Sequence, residues 1–286
     1  MRVLFAGTPA VAVPSLEALI EAGFEIVAVL TRPDAPTGRK RILTPSPVAA
    51  RAAELGIDII HASKVDAGTT ERIASYEPDV AAIVAYGGLV PQAALGVPRH
   101  GWINLHFSLL PAWRGAAPVQ RSVIAGDDIT GAATFLLEEG LDTGPVFGTL
   151  TETVRPEDTA GDLLERLSRS GAVLLSQTLS AVESGKAAPQ PQQGDVSLAP
   201  KLTLDDGRLD WTQPALAINR RSRGVTPNLE PGPRSTDSAS SWSPSDCART
   251  SGSLRPARSG LTVRTSWSGP DPMQCSSGGS SLRARR

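Results

Sequence analysis

The sequence predicts an α/β fold, a Rossmann-like and mostly parallel sheet with helices on both faces. Three observations carry that reading. Short apolar runs recur near residues 3–6, 26–30, 57–60, 80–85 and 102–106. Stretches with helical spacing or helix-start signals separate most of them, and glycine or proline marks many of the junctions. Strands that alternate with helices bury a parallel sheet on both sides.

Taken in order, Val3–Ala6 ends at Gly7-Thr8-Pro9 and reads as a buried strand entering a turn. Leu16, Leu19 and Ile20 follow at helical spacing until Gly23 stops the helix. Ile26–Leu30 is the next strand, and the polar segment Thr31 to Thr44, with Pro33, Pro36 and Gly38, reads as a loop. A helix over Pro47 to Leu55, a strand at Ile57–Ile60 and a helix over Thr69 to Tyr76 come next. Val80–Ala85 is a strongly apolar strand closed by Tyr86-Gly87-Gly88. Trp102–His106 reads as a strand, Pro118–Ala125 as a helix, and Ala132–Leu137 with Val146–Val154 as a strand pair around a glycine-rich loop. Over residues 160–183 an apolar face runs through Leu163, Leu164, Leu167, Leu174, Leu175, Leu179 and Val182, with Thr159 and Asp162 as its cap. Residues 186–200 are rich in Pro and Gln and read as a linker.

Composition breaks near residue 230. From Pro231 to Arg286 there are 15 Ser and 8 Arg, with no Lys, Ile, Phe, Tyr, His or Glu. Eight Arg against 3 Asp give this tail +5, which leaves −6 for residues 1–230 of a total of −1. Such a tail cannot bury enough surface to offset its ordering entropy, so disorder is expected over 229–286. A net-negative body argues against general nucleic-acid binding, DNA included, and makes any RNA contact local. Cys247 and Cys275 are too few for a disulfide framework, and no cluster has metal-ligand spacing. The start is too short in apolar residues for a signal peptide, and no run approaches a membrane span. A cytoplasmic protein that binds no membrane is the expectation, and a monomer is the default.

Three histidines occur, His61, His100 and His106. The first two read as structural. His106 ends a strand, and alternation puts Asn104 on the same face, which opens on the ligand crevice of an α/β sheet. An amide donor beside an imidazole can hold an oxyanion in acyl transfer. Asp142, between Gly140 and Gly144, is either a turn residue or the carboxylate that orients His106. Spacing alone leaves both open.

Asn104-Leu-His106-Phe-Ser108-Leu-Leu-Pro111-Ala-Trp-Arg114-Gly115-Ala-Ala-Pro118, followed by Leu141-Asp142-Thr143-Gly144, resembles the methionyl-tRNA formyltransferase family of the folate-dependent formyltransferases. Phe5-Ala-Gly7-Thr-Pro9, Thr44-Pro-Ser-Pro-Val48 and the Ala199 to Trp211 segment match it as well, and the resemblance runs from Met1 to about Pro227. It implies a formyl donor, 10-formyltetrahydrofolate, whose site is lined by Ser108, Leu109, Leu110 and Pro111. It implies initiator methionyl-tRNA as acceptor and no metal. Asn104 and a protonated His106 would stabilise the oxyanion. Asp142 would keep His106 charged and help remove the amine proton. An inserted basic loop of the family would place Arg39, Lys40 and Arg41 on the tRNA acceptor arm, with Arg39 foremost.

The resemblance divides the chain into a catalytic domain over 1–185, a join over 186–228 and the tail over 229–286. The family continues past the join into a C-terminal β-barrel, whereas Leu229-Glu-Pro-Gly-Pro-Arg begins a stretch with no barrel strand pattern. Its composition is that of a GC-rich gene read out of frame. A nucleotide sequence in which no shift of frame restores alternating apolar strands would remove that explanation. Rival readings are a formyltransferase on glycinamide ribonucleotide or an amino sugar nucleotide, which share Asn, His and Asp, and a catalytically impaired remnant. A dinucleotide-dependent dehydrogenase fits poorly, because Gly7-Thr-Pro-Ala-Val-Ala lacks the G-x-G-x-x-G fingerprint.

Overall fold

Seven strands form one sheet in the computed structural model, which describes residues 1–37 and 40–228 and the backbone of 232–233. In chain order they are β1 (Arg2–Gly7), β2 (Glu25–Thr31), β3 (Ile59–His61), β4 (Val80–Val84), β5 (Trp102–His106), β6 (Ile129–Leu136) and β7 (Val146–Thr153). Across the sheet the order is β7-β6-β5-β4-β1-β2-β3. The five strands from β3 to β5 are parallel, while β6 runs antiparallel to both β5 and β7. The order reverses between β1 and β4, so a ligand crevice is expected beyond their carboxyl ends.

Among the described residues six helices of eight residues or more accompany the sheet: α1 (Val13–Glu21), α2 (Pro47–Glu54), α3 (Ala67–Ser75), α4 (Pro118–Ala125), α5 (Ala160–Glu183) and α6 (Ala215–Val225). Local chemistry sets their starts. Ser46 accepts from the Ala49 N–H ahead of α2, and Asp66 accepts from Thr69 ahead of α3. Thr159 and Asp162 form a reciprocal capping box at α5.

Strand alternation then assigns the two faces. Val3, Phe5, Ile103 and Leu105 pack with Leu16 and Leu19 of α1 and Leu163, Leu167, Leu175 and Leu179 of α5. Leu4, Ala28, Leu30, Ile83 and Trp102 pack on the other side with Ile73 of α3 and Ala94 of a short helix, Gln92–Leu95. Each buried leucine contributes about 1.5–3 kcal/mol. On this second face helices cover only the β1–β4 half. Over β5 and β6 lies a small cluster of Leu110, Ala133 and Phe135, roofed by loops. That is where a site can form.

Three features differ from the sequence reading. Within Thr31 to Thr44 the strands Ala35–Thr37 and Ile42–Thr44 pair antiparallel as an exposed hairpin, which Pro36 and the lack of apolar alternation conceal. Helix α6 leaves only a faint apolar period in the sequence, because its buried positions include Ser222, Arg223 and Gly224. Residues 190–199, expected to be a linker, lie along the sheet's loops: Gln190 bridges Val146, and Leu198–Ala199 pairs with Arg114–Gly115. The tail lies outside the described residues apart from Gly232–Pro233, whose backbone pairs in parallel with Arg208–Leu209.

One ion pair ties α5 to the turn before it. Arg166 meets the Asp158 carboxylate with two nitrogens, at 2.9 and 2.6 Å, and Arg223 donates to the Asp158 carbonyl at 2.6 Å. The Arg166 and Asp158 side chains are 23% and 8% exposed. Removing Arg166 leaves the Asp158 carboxylate with the Arg155 N–H as its remaining partner, so Arg166→Met is expected to destabilise the fold by about 1–3 kcal/mol in urea unfolding.

Candidate active site

Strand β5 sits between β4 and β6, with Asn104 opposite Ile83 on one side and Phe135 on the other. Ile103 and Leu105 point into the helix-covered core, so Asn104 and His106 face the loop-covered side. Among the described residues the Asn104 carboxamide has no hydrogen-bond partner. Its donor is free for a ligand.

His106 is 7% exposed and held on three sides. Its Nε2 lies 2.9 Å from the Trp113 carbonyl oxygen, and its ring meets Phe135 edge-on at 6.4 Å. A carbonyl only accepts, so the hydrogen-bond network assigns the proton to Nε2. In the neutral ring Nδ1 is then an acceptor. It faces Asp142 Oδ2 at 3.8 Å. Two acceptors facing one another across that gap form a receptor for an N–H group.

Burial and the Asp142 carboxylate act on the His106 ring in opposite directions. Burial pushes the imidazole below its ordinary range, and the Asp142 charge and the Trp113 carbonyl, which act oppositely, do not overcome it. Because the folded value lies below the unfolded one, the unfolded chain takes up the proton first. His106 therefore costs no stability above about pH 6.5, and stability falls with pH below that until the folded ring titrates. Comparing urea midpoints at pH 7 and pH 5, His106→Gln should lose less stability than the wild type; equal losses would place the titrating group elsewhere.

Asp142 reaches the site because its loop is pinned. The Gly115 N–H donates to its Oδ2 at 2.7 Å. Trp113 and Asp142 both have positive φ, 60° and 51°, and Ala85 after β4 has 48°. Left-handed backbone is unfavourable for side-chain-bearing residues, most of all a bulky one, and here it clusters at the carboxyl end of the sheet. Trp113 is held there by the Ser197 hydroxyl on its N–H and by its indole N–H on Asp127, at 2.9 and 2.8 Å.

The structure thus brings Asn104, His106 and Asp142 to one place. Ser108 is fully buried and its hydroxyl donates to the Ala112 carbonyl at 2.6 Å, while Leu110 and Pro111 are buried. Of the four residues expected at the donor's site, Leu109 alone is half-buried. Lys40 and Arg41 are exposed at the tip of the hairpin, and Arg39 lies outside the described residues. A cleft of about 440 Å³ adjoins the 137–144 loop, lined by Gln92, Leu95, Gly96, Leu137, Glu138 and Glu139. A larger one of about 530 Å³, bounded by Ile124, Asp205, Arg208 and Arg221 among others, shares no residue with the site. Sequence reasoning missed Trp113, Gly115 and Gln192 as partners of the site. The first two stand inside the Asn104–Pro118 motif; nothing in a Pro/Gln-rich run distinguishes Gln192.

Among the described residues no group of His, Cys, Asp and Glu could hold a metal ion, and no helix is long and apolar enough to cross a membrane. The formyl transferase family model matches residues 1–179. A methionyl-tRNA formyltransferase of Paenarthrobacter aurescens (strain TC1) is 84% identical over 232 residues, 81% of this chain and 75% of that one. Among solved structures, an N-formyltransferase from Helicobacter canadensis, in complex with folinic acid and dTDP-3-aminofucose, aligns with a TM-score of 0.64 at 16% identity over 82% of this chain and 84% of its own. The methionyl-tRNA formyltransferase from Clostridium thermocellum gives 0.55 at 15% identity, over 78% of this chain and 82% of its own. At those identities the structures speak for the fold alone. Identity of 84% over most of a chain does not arise between unrelated families, and the chain belongs to the methionyl-tRNA formyltransferase family.

Proposed function

We propose that this chain transfers the formyl group of 10-formyltetrahydrofolate to the amino group of methionyl initiator tRNA, as a cytoplasmic monomer acting at the start of translation. The observation that carries the reading is the gap between His106 Nδ1 and Asp142 Oδ2, on the same strand face as an unpartnered Asn104. Supporting it is the name borne by a relative 84% identical.

The bound folate supplies a formyl group on a nitrogen that can leave. The chain's residues supply the rest. An α-amino group is mostly protonated below about pH 7.7, so its lone pair must be freed before it attacks. Nδ1 of the neutral His106, beside Asp142, takes that proton. The imidazole thereby becomes charged only once the acceptor is in place, and the adjacent carboxylate stabilises it. As the new C–N bond forms, the Asn104 N–H donates to the oxygen that gains charge. His106 then hands its proton to the departing nitrogen, the attacking nitrogen sheds its second proton to the Asp142 carboxylate and from there to solvent, and the products are the formamide and tetrahydrofolate. A neutral resting histidine fits this sequence better than a permanently charged one.

The acceptor would be held by Arg39, Lys40 and Arg41, consecutive cations that can meet phosphates, of which Lys40 and Arg41 are exposed next to the Ile42–Thr44 strand. Formyl transfer by the full chain, offered charged initiator tRNA, glycinamide ribonucleotide or an amino sugar nucleotide, should occur on the tRNA. Product on a small amine instead would reassign the substrate. Arg39→Ala should weaken tRNA binding and lower its salt dependence by about one counterion, with folate binding unchanged. Equal loss of both ligands would mean a folding defect. The same assay on a chain ending at Pro227 reads what the tail adds.

A further inference from the structure

Residues 190–199 do more than connect. Gln192 projects from this stretch between the two loops that carry the site. Its Nε2 donates to the Asp142 carbonyl at 2.7 Å and to the Gly144 carbonyl at 2.8 Å. Its Oε1 accepts from Arg114 Nη2 at 2.6 Å and Nε at 3.1 Å. One amide therefore uses both ends, across 50 residues in one direction and 78 in the other.

The next residue along, Gly115, gives its N–H to the Asp142 carboxylate, and Trp113 gives its carbonyl to His106. Two further bonds hold the same strand to the same stretch, from the Arg114 N–H to the Ser197 carbonyl and from the Trp113 N–H to the Ser197 hydroxyl. The Asp142 backbone sits at φ 51°, a conformation that needs fixing from outside.

We infer that Gln192 is the positioning residue for Asp142, clamping the aspartate's loop to the Arg114–Gly115 strand so that its carboxylate meets His106. The inference rests on the proposed roles of His106 and Asp142, and one of its readouts does not depend on catalysis. Isosteric glutamate separates the clamp from mere space filling. It keeps an acceptor for Arg114, strengthened by charge, but has no N–H for the Asp142 and Gly144 carbonyls.

In the full-length protein, Gln192→Ala and Gln192→Glu should each lower kcat by about ten- to a hundredfold, since a displacement of about 1 Å at a site has that order of effect. KM for donor and acceptor should stay within about threefold, because neither ligand touches Gln192 in this reading. By NMR the His106 ring should titrate at a lower pH in the alanine variant, because the carboxylate that raises it has moved away. The glutamate variant orphans the Asp142 and Gly144 carbonyls and should unfold several degrees below the wild type, yet stay folded at the assay temperature, so it carries the test if alanine fails to fold. Wild-type turnover in Gln192→Glu would overturn the inference. So would an unchanged His106 titration in a folded alanine variant. A wild-type protein that transfers no formyl group at all would remove the proposed function, while the titration would still report on the clamp.

Discussion

Alanine at Asn104 or at His106 is expected to lower kcat for formyl transfer by about 10²–10³, the usual cost of losing one donor or proton carrier aimed at developing charge. The two losses differ in form. Among the described residues Asn104 has no side-chain partner, so Asn104→Ala strands none of them and should leave the unfolding free energy within about 1 kcal/mol of wild type. His106→Ala removes the donor to the Trp113 carbonyl, and an orphaned acceptor adds about 1–3 kcal/mol to the cost of folding. The pH profile separates them further. Asn104→Ala should keep the acid limb set by the imidazole, at a reduced plateau, and His106→Ala should lose it. If both groups serve one transition state, the double variant falls short of the product of the single effects. Near-normal single-turnover rates in both single variants would take these side chains out of the chemistry.

Much of the sheet was legible because the physics there is local. Trp102–His106, Pro118–Ala125 and 160–183 were read with the bounds that the structure shows, since each has a strong period or a sharp start signal. Asn104 and His106 were legible for the same reason: two residues apart on one strand, they share a face whatever else happens. Asp142 was not decidable from residues alone. Its approach to His106 depends on Gly115 and Gln192, 27 and 50 residues away, and those contacts leave no periodic trace. Nor could the charge of His106 be read from its neighbours. A carboxylate nearby suggests an imidazolium, yet burial is the larger influence, and burial belongs to the assembled fold. Helix α6 shows the same limit from the other side. It is buried by Ser222 and Gly224 against α4, residues that no hydrophobic pattern selects.

The second large effect is expected from one methyl group. A Cβ on Gly144 would run into the Leu136 carbonyl oxygen at the end of β6, which is backbone and cannot rotate away. That contact is fixed on both sides: the Leu136 N–H donates to the Pro145 carbonyl at 3.0 Å, and Gln192 donates to the Gly144 carbonyl at 2.8 Å. Leu136 also pairs with Ile103 of β5, one residue before Asn104. Gly144→Ala must therefore displace either the end of β6 or the 140–145 loop. The loop is the softer of the two, because β6 is laddered on both sides, by β5 and β7, so Asp142 moves. Overpacking of this kind costs about 1–3 kcal/mol in stability. Turnover should fall by about 10² or more, because the carboxylate no longer meets Nδ1. Gly185 provides the control, with φ +68° and open space where its Cβ would be. Gly185→Ala is strained by its backbone alone, at about 1–2 kcal/mol, and should leave turnover at the wild-type value. The two variants share a stability cost but not a steric one, so a comparable loss of activity in both would trace the effect to destabilisation. Loss confined to Gly144→Ala would show that the reaction depends on how closely the aspartate's loop packs against the sheet.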